Sequence, residues 1–256
     1  MATYNLTAAQ LKGEGILNSF EIPAVGSFTN LYSTQYDGVD DYIDCGTGLG
    51  DSEGVITKFS VSMWIKPDIT TKSPAFRGLN FFNLGNFSNS FGEIFIGIKQ
   101  DVLTIRLKNG SRFYSVPYTN TTNWEHIAFV YDGSNSSNTK LYINNVVQSP
   151  TVGGAYPSSL NDATGLKTII GAGYSVVNTY QGLLDEVSYF DITLSSANIS
   201  TIYNSGTPNN LNDLSTPPLS WWRFEEGSGT TAIDSGIGGN NGTLTNGTAY
   251  STDVPS

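Results

Sequence analysis

The chain has 256 residues, of which 38% are hydrophobic, 12% aromatic and only 13% charged, with a formal net charge of −10 and a sequence pI near 4.4. That length suits one all-β domain, and the acidic balance repels phosphate backbones and anionic headgroups, so no nucleic-acid partner is expected. No stretch approaches the roughly 18 apolar residues of a membrane span, so no membrane insertion is expected either, and the sole cysteine, Cys45, excludes an intrachain disulfide.

At the N-terminus, LTAAQLKGEG predicts a short helix with Thr7 as N-cap, Gln10 completing a capping box and Gly13 as the stop. No basic flank followed by an apolar run precedes it, so no secretory signal is expected. The segment YDGVDDYIDCG then gathers four aspartates into a strand-like run of aromatic and β-branched residues. GDSEG at 50–54 has the spacing of a nucleophile elbow but precedes a strand rather than a helix, and is read as a loop.

FSVSMWIKP alternates Phe59, Val61, Met63 and Ile65 against Ser60, Ser62, Trp64 and Lys66, which predicts a strand closed by Pro67. LTIRLKNGSRFYSV predicts a hairpin about Asn109-Gly110, with Leu103, Ile105 and Leu107 on one face. In WEHIAFVYDG both faces are largely apolar, so this strand should be central, with His126, the single histidine, as a satisfied structural residue on one face. KLYINNVVQ predicts a hairpin with Asn144-Asn145 at its tip. GLLDEVSYFD is a further strand, read with Leu183, Asp185, Val187 and Tyr189 on one side. LSSANISTIYNSG predicts a helix of one or two turns, N-capped at Ser195 or Ser196 and ending by Gly206. TPNNLNDLSTPP is a loop, SWWRF the last clear strand, and the Gly- and Asn-rich remainder is turns and short strands.

Taken in order, YDGVDDYIDCG, FSVSMWIKP, WEHIAFVYDG, LYINN and GLLDEVSYFDITLS resemble the laminin-G-like, concanavalin A-like jelly-roll family over roughly residues 33 to 206. WWRFEEGSGTTAIDS also resembles a family segment, one that in many members precedes the DGVDDY motif and here follows it. The resemblance implies an all-β jelly-roll sandwich of two antiparallel sheets with one or two short helices. The expected organisation is an N-terminal arm over 1–25, the jelly roll over 26–215, and a C-terminal strand and extension over 216–256 packed on the same sandwich. The overall arrangement is similar to structural proteins of marine bacteriophages, which implies a non-catalytic capsid decoration or fibre protein. Such a protein is synthesised in the host cytoplasm and displayed on the virion surface. Its partners would be other virion proteins and host-surface polysaccharide, and a homo-oligomer is compatible with that role. The alternative is a bacterial carbohydrate-binding module or lectin.

The resemblance further implies a structural calcium held by Asp185 together with Asp37, Gly38 and Asp41. The residues alone equally allow Asp37 and Asp40 to cap a tight turn while Asp185 bonds neighbouring amides. Laminarinase-type hydrolases of the same fold carry Glu-x-Asp-x-Glu or Glu-x-Asp-x-x-Glu, and no glutamate here has an aspartate two residues on, so no enzyme is expected. Loop aromatics and amides are the candidate sugar contacts, foremost Phe81, Asn86, Tyr174 and Tyr180, with Phe76, Phe87, Tyr156, Asn80 and Asn178 beside them.

Overall fold

Runs of β-branched and aromatic residues separated by Gly, Asn and Asp turns commit this chain to short strands that must bury their apolar faces against one another. A computed structural model describes residues 28–68, 78–85, 93–99, 101–108, 110–119, 123–173 and 179–256. The expected N-terminal helix, with Thr7, Gln10 and Gly13, lies outside the described residues, as do Phe76, Asn86, Phe87, Tyr174 and Asn178. In chain order the strands are β1 (Ser33–Asp37), β2 (Tyr42–Asp44), β3 (Lys58–Pro67), β4 (Gly78–Gly85), β5 (Ile94–Lys99), β6 (Val102–Leu107), β7 (Arg112–Pro117), β8 (Glu125–Asp132), β9 (Lys140–Ile143), β10 (Val146–Val147), β11 (Thr151–Gly153), β12 (Lys167–Ile170), β13 (Gln181–Phe190), β14 (Ser220–Trp222), β15 (Thr231–Ala232), β16 (Gly242–Thr245) and β17 (Ala249–Ser251). Among the described residues two α-helices accompany them, α1 (Gly48–Glu53) and α2 (Ser196–Tyr203).

All described pairings are antiparallel and build two sheets. One has eight strands in the order β10-β9-β8-β3-β13-β1-β17, with β14 also on β13; the other has nine, β11-β7-β6-β5-β4-β12-β2-β16-β15. Between them lies a core in which Phe59, Val61, Met63 and Ile65 from β3 meet Ile127, Phe129 and Tyr131 from β8 and Leu103, Ile105 and Leu107 from β6, as the alternation predicts. A second cluster forms where α2 covers the outer face of the eight-stranded sheet, with Ile199 and Ile202 against Ala128, Val130 and Trp221. Ser195 and Asn198 form the capping box that starts α2, and Asn204 ends it in the left-handed region. The Asn144-Asn145 tip adopts φ of 49° and 64°, the pair a tight hairpin needs to match strand twist.

Two expectations are corrected here. Residues 50–54 fall largely within α1 rather than in a loop, with Gly50 packed so closely on the 163–166 backbone that a Cβ would stand 2.4 Å from the Ala163 carbonyl. In β13, Leu184 rather than Leu183 joins the core with Val187 and Tyr189. The cause is a bulge between Asp185 and Ser188, where Glu186 takes φ +52° and shifts the alternation by one residue. Asp185 therefore lies on the side away from the core, which removes the puzzle of a carboxylate on an apolar face.

The C-terminal segment is woven into both sheets: β14 pairs β13, β16 pairs β2, and β17 pairs β1. One edge of β13 runs along β3 throughout, whereas its other edge pairs first with β1 (Gln181 to Leu184) and then with β14 (Val187 to Tyr189). The bulge sits where the first partner ends and the second begins.

Candidate functional site

The DGVDD run must carry the chain from β1 in one sheet to β2 in the other within four residues, and its aspartates close that turn. Asp37 Oδ1 accepts from the Val39 N–H at 2.7 Å, Asp41 Oδ2 accepts from the Asp37 N–H at 2.8 Å, and Gly38 supplies φ +76°. Asp37, Asp40 and Asp41 each bring a carboxylate oxygen within 4.8 Å of the others. Asp41 is 3% exposed and its Oδ1 has no hydrogen-bond partner. Burial, reinforced by the charges of Asp37 and Asp40, pushes its pKa up. Across from it, a Cβ at Gly247 would stand 3.0 Å from that same oxygen.

Asp185 does not join this group. The β1–β13 register sets Asp37 opposite Gln181 and Thr34 opposite Leu184, so Asp185 lies four residues along the ladder, roughly 13 Å away. The four expected calcium ligands thus divide: Asp37, Gly38 and Asp41 stand together with Asp40, and Asp185 stands apart. Asp185 is fully buried, accepting from Asn30 Nδ2 at 2.9 Å and from the Glu186 N–H at 2.9 Å. Glu186 beside it accepts from Trp221 Nε1 at 2.5 Å and pairs with Arg223 Nε at 3.4 Å. Burial pushes both carboxyls up, Asp185 well above its usual range and Glu186 to about 8. Next to the bulge, Arg223 also donates to the Thr29 carbonyl at 2.5 Å, and Glu225 accepts from the Leu31 and Tyr32 N–H groups. These two acids are sequence neighbours that lock a strand junction; they do not face one another across an open groove as a hydrolytic pair must.

Two of the expected sugar contacts are corrected by burial. Phe81 and Tyr180 are each 0% exposed and meet edge to face at 5.2 Å between ring centroids, with Tyr36 packed edge-on against Tyr180 at 5.6 Å. They are core residues, and the neighbouring Asn80 and Gly182 lie within strands β4 and β13 rather than on an open rim. His126 is structural as expected: it is 0% exposed, bonded to Ser62 Oγ at 2.7 Å, and held neutral by burial, its pKa pushed down to about 3.

Sequence reasoning missed the outward face of the nine-stranded sheet. The inward residues of β4 to β7 belong to the core, so their alternates line the other face, and the register aligns them in rows across the strands. One row runs Asn83, Phe95, Arg106, Phe113; its neighbour runs Asn80, Gly97, Thr104, Ser115. Burial relaxes along these rows: Asn80 is fully buried, Thr104 6% exposed, and Phe113 and Ser115 half-buried. Gly97 can have no side chain, because a Cβ would lie 2.3 Å from the Leu79 carbonyl. The Arg106 guanidinium lies 5.8 Å from the Phe113 ring centroid. Neither amide atom of Asn80 has a hydrogen-bond partner, a costly condition for a buried group. The alternation of β6 and β7 would have put Thr104, Arg106, Phe113 and Ser115 on one face; pairing them across strands needed the register.

A family profile described as the concanavalin A-like lectin/glucanases superfamily matches residues 37–200. Among solved structures, the fold resembles a Bacteroides ovatus protein provisionally named a carbohydrate binding protein, with a TM-score of 0.61 at 17% identity, covering 89% of this chain and 62% of that one. It also resembles the native heptameric SAP-like pentraxin of Limulus polyphemus, with a TM-score of 0.55 at 13% identity, covering 88% of this chain and 96% of that one. The chain thus spans less than two thirds of the Bacteroides protein, and at these identities the likeness is one of fold. A search of curated protein sequences finds no match.

Proposed function

The chain belongs to the concanavalin A-like lectin/glucanases superfamily, and from that premise we propose that it is a non-catalytic carbohydrate-binding module whose ligand lies across the outward face of the nine-stranded sheet. The observation that carries this reading is the open end of those side-chain rows, where the half-buried Phe113 ring, the Arg106 guanidinium and the Ser115 hydroxyl stand side by side. Sugars need this mixture: C–H faces stack on a ring while hydroxyls exchange hydrogen bonds with planar polar groups. Of the two roles expected from the sequence, this one draws on described residues. A virion role rests on the overall arrangement of arm, jelly roll and C-terminus, and the arm that would attach it lies outside them.

The test is binding of the purified chain to an array of bacterial and algal glycans. Phe113→Ala should lower affinity for the bound glycan about tenfold, the loss that ~1.4 kcal/mol of stacking represents, with the melting temperature unchanged because the ring is half-buried at the surface. An absence of binding by the unmodified chain would overturn the reading.

Calcium is proposed at the β1–β2 turn rather than at Asp185. Its donor set there is all oxygen, as this ion prefers, and the unpartnered Asp41 Oδ1 facing the side-chain-free Gly247 fits it. Asp37, Asp40 and Asp41 would hold the ion and it would neutralise their mutual repulsion. Calcium at a hundredfold over its Kd is expected to add about 2.7 kcal/mol of stability, read as a rise in melting temperature that a chelator reverses. Asp41→Asn should abolish the rise; equal responses in both proteins would place the ion elsewhere.

A further inference from the structure

A second recess opens on the other sheet, at the end where β3 finishes and β8 begins. Lys66, Asn123, Trp124, Gly206, Asp253 and Val254 line a cleft of about 370 Å³, within the size range of small-ligand pockets. Its walls come from four separate parts of the chain. Asp253 is fixed from every side: its carbonyl accepts from Ser33 Oγ at 2.6 Å and its N–H donates to Ser251 Oγ at 3.1 Å. Its carboxylate accepts from Lys66 Nζ at 2.5 Å on Oδ2 and from Trp124 Nε1 at 2.9 Å on Oδ1. Partial burial alone would raise its pKa, but the bonds from Lys66 and Trp124 outweigh that and hold it below the usual carboxylate range.

The Asp253 side chain is nevertheless 45% exposed. Each of its oxygens keeps lone-pair capacity beyond the one bond it accepts, so an oriented, ionised acceptor faces the cleft. Beside it stands Trp124, half-buried, whereas Trp64, Trp221 and Trp222 are 3%, 1% and 0% exposed. An indole held by its own N–H in a surface recess presents a fixed apolar wall.

We infer that this cleft is a second saccharide site, taking the end of a neutral sugar chain: two adjacent hydroxyls donate to Asp253 and the C–H face of the ring lies on Trp124. Charge sets the class. Lys66 is already neutralised by Asp253, so a uronate or sialate carboxylate would meet Asp253 with no other cation among the described lining residues to balance it, on a chain of net charge −10. Because Lys66 lies on the eight-stranded sheet, with Trp124 just before its strand β8, and Phe113 on the nine-stranded one, two sites would make the module bivalent and raise its avidity for a polysaccharide. The inference rests on the glycan-binding reading above.

The experiment is tryptophan fluorescence of the full chain with acrylamide as quencher, titrated with methyl β-glucoside, methyl β-galactoside, methyl α-mannoside, laminaribiose and, as the acidic comparison, methyl β-glucuronide. At least one neutral sugar should shield the accessible fluorescence and the glucuronide should not. The cleft variants, two of which lack the reporting indole, are read by isothermal titration calorimetry, in which Trp124→Ala should abolish binding of that sugar. Asp253→Asn and Trp124→Phe should each weaken binding about tenfold or more, with melting temperatures near that of the unmodified chain. If a neutral sugar binds, is lost in Phe113→Ala, but is indifferent to all three cleft variants, this inference falls and the module reading stands. If no sugar binds the unmodified chain, both fall.

Discussion

Trp222→Ala is expected to lower stability by about 3–5 kcal/mol, enough to unfold a domain of ordinary marginal stability. Trp222 is fully buried within the main core, opposite Val187 on β13, and its Nε1 donates to the Asn240 carbonyl at 2.8 Å. Truncation therefore opens a large cavity and also strips a part-buried carbonyl of its partner. The surroundings cannot collapse into the space, because Asp234 ties the neighbouring loop to the strand: it accepts from the N–H groups of Trp221 at 2.7 Å, Gly236 at 2.8 Å and Asn240 at 2.7 Å. As a comparison, Val147→Ala on the exposed edge strand β10, where the residue is 53% exposed, should change stability by no more than about 0.5 kcal/mol. Urea denaturation midpoints of the two variants decide the matter. A Trp222→Ala midpoint as close to the unmodified chain as that of Val147→Ala would mean that the C-terminal segment is an appendage rather than part of the sandwich.

Strands whose alternation is unbroken were legible because period-2 patterning and one buried face are a single physical statement; β3, β6 and β8 face the core as their sequences dictate. The Asn144-Asn145 hairpin was legible for a local reason, since both residues tolerate positive φ. What failed was non-local or conformational. Nothing in GLLDEVSYFD announces that a glutamate will adopt φ +52°, and that one torsion reverses the faces of half the strand. Phe81 and Tyr180 sit beside Gly and Asn in sequence, yet 99 positions apart they meet in the core. The cleft of Trp124 and Asp253 joins residues 129 apart. It has no sequence signature, because it exists only once β17 has docked on β1 and carried Asp253 to the end of β3.

The buried acids at the β13 bulge set the second large effect, a fall in stability toward alkaline pH. Glu186 keeps its proton in the folded chain to about 8, burial outweighing both the Arg223 charge and the Trp221 bond. Arg223 offsets little of that cost, since it stands 3.4 Å away and is shared with the Thr29 carbonyl and the rings of Phe28 and Trp221. Unfolded, a glutamate releases its proton near 4.3. Between those values the folded state binds more protons, so stability is fully present below about pH 4.3, declines as pH rises, and is lost as pH passes about 8. Asp185 acts in the same direction, through its own burial and then the neighbouring Glu186 charge. His126 opposes them on the acid side: neutral in the fold to about 3 and titrating near 6.5 when unfolded, it costs stability as pH falls through that interval. Maximum stability should therefore lie below neutrality. At ~1.4 kcal/mol per pH unit for each such group, Glu186 alone should cost about 2 kcal/mol between pH 6.5 and 8, read from urea midpoints. Glu186→Gln, whose amide oxygen still accepts from Trp221, should flatten that alkaline limb. An identical limb in the variant would mean that Glu186 is ionised in the fold and that Arg223, despite its longer contact, outweighs burial.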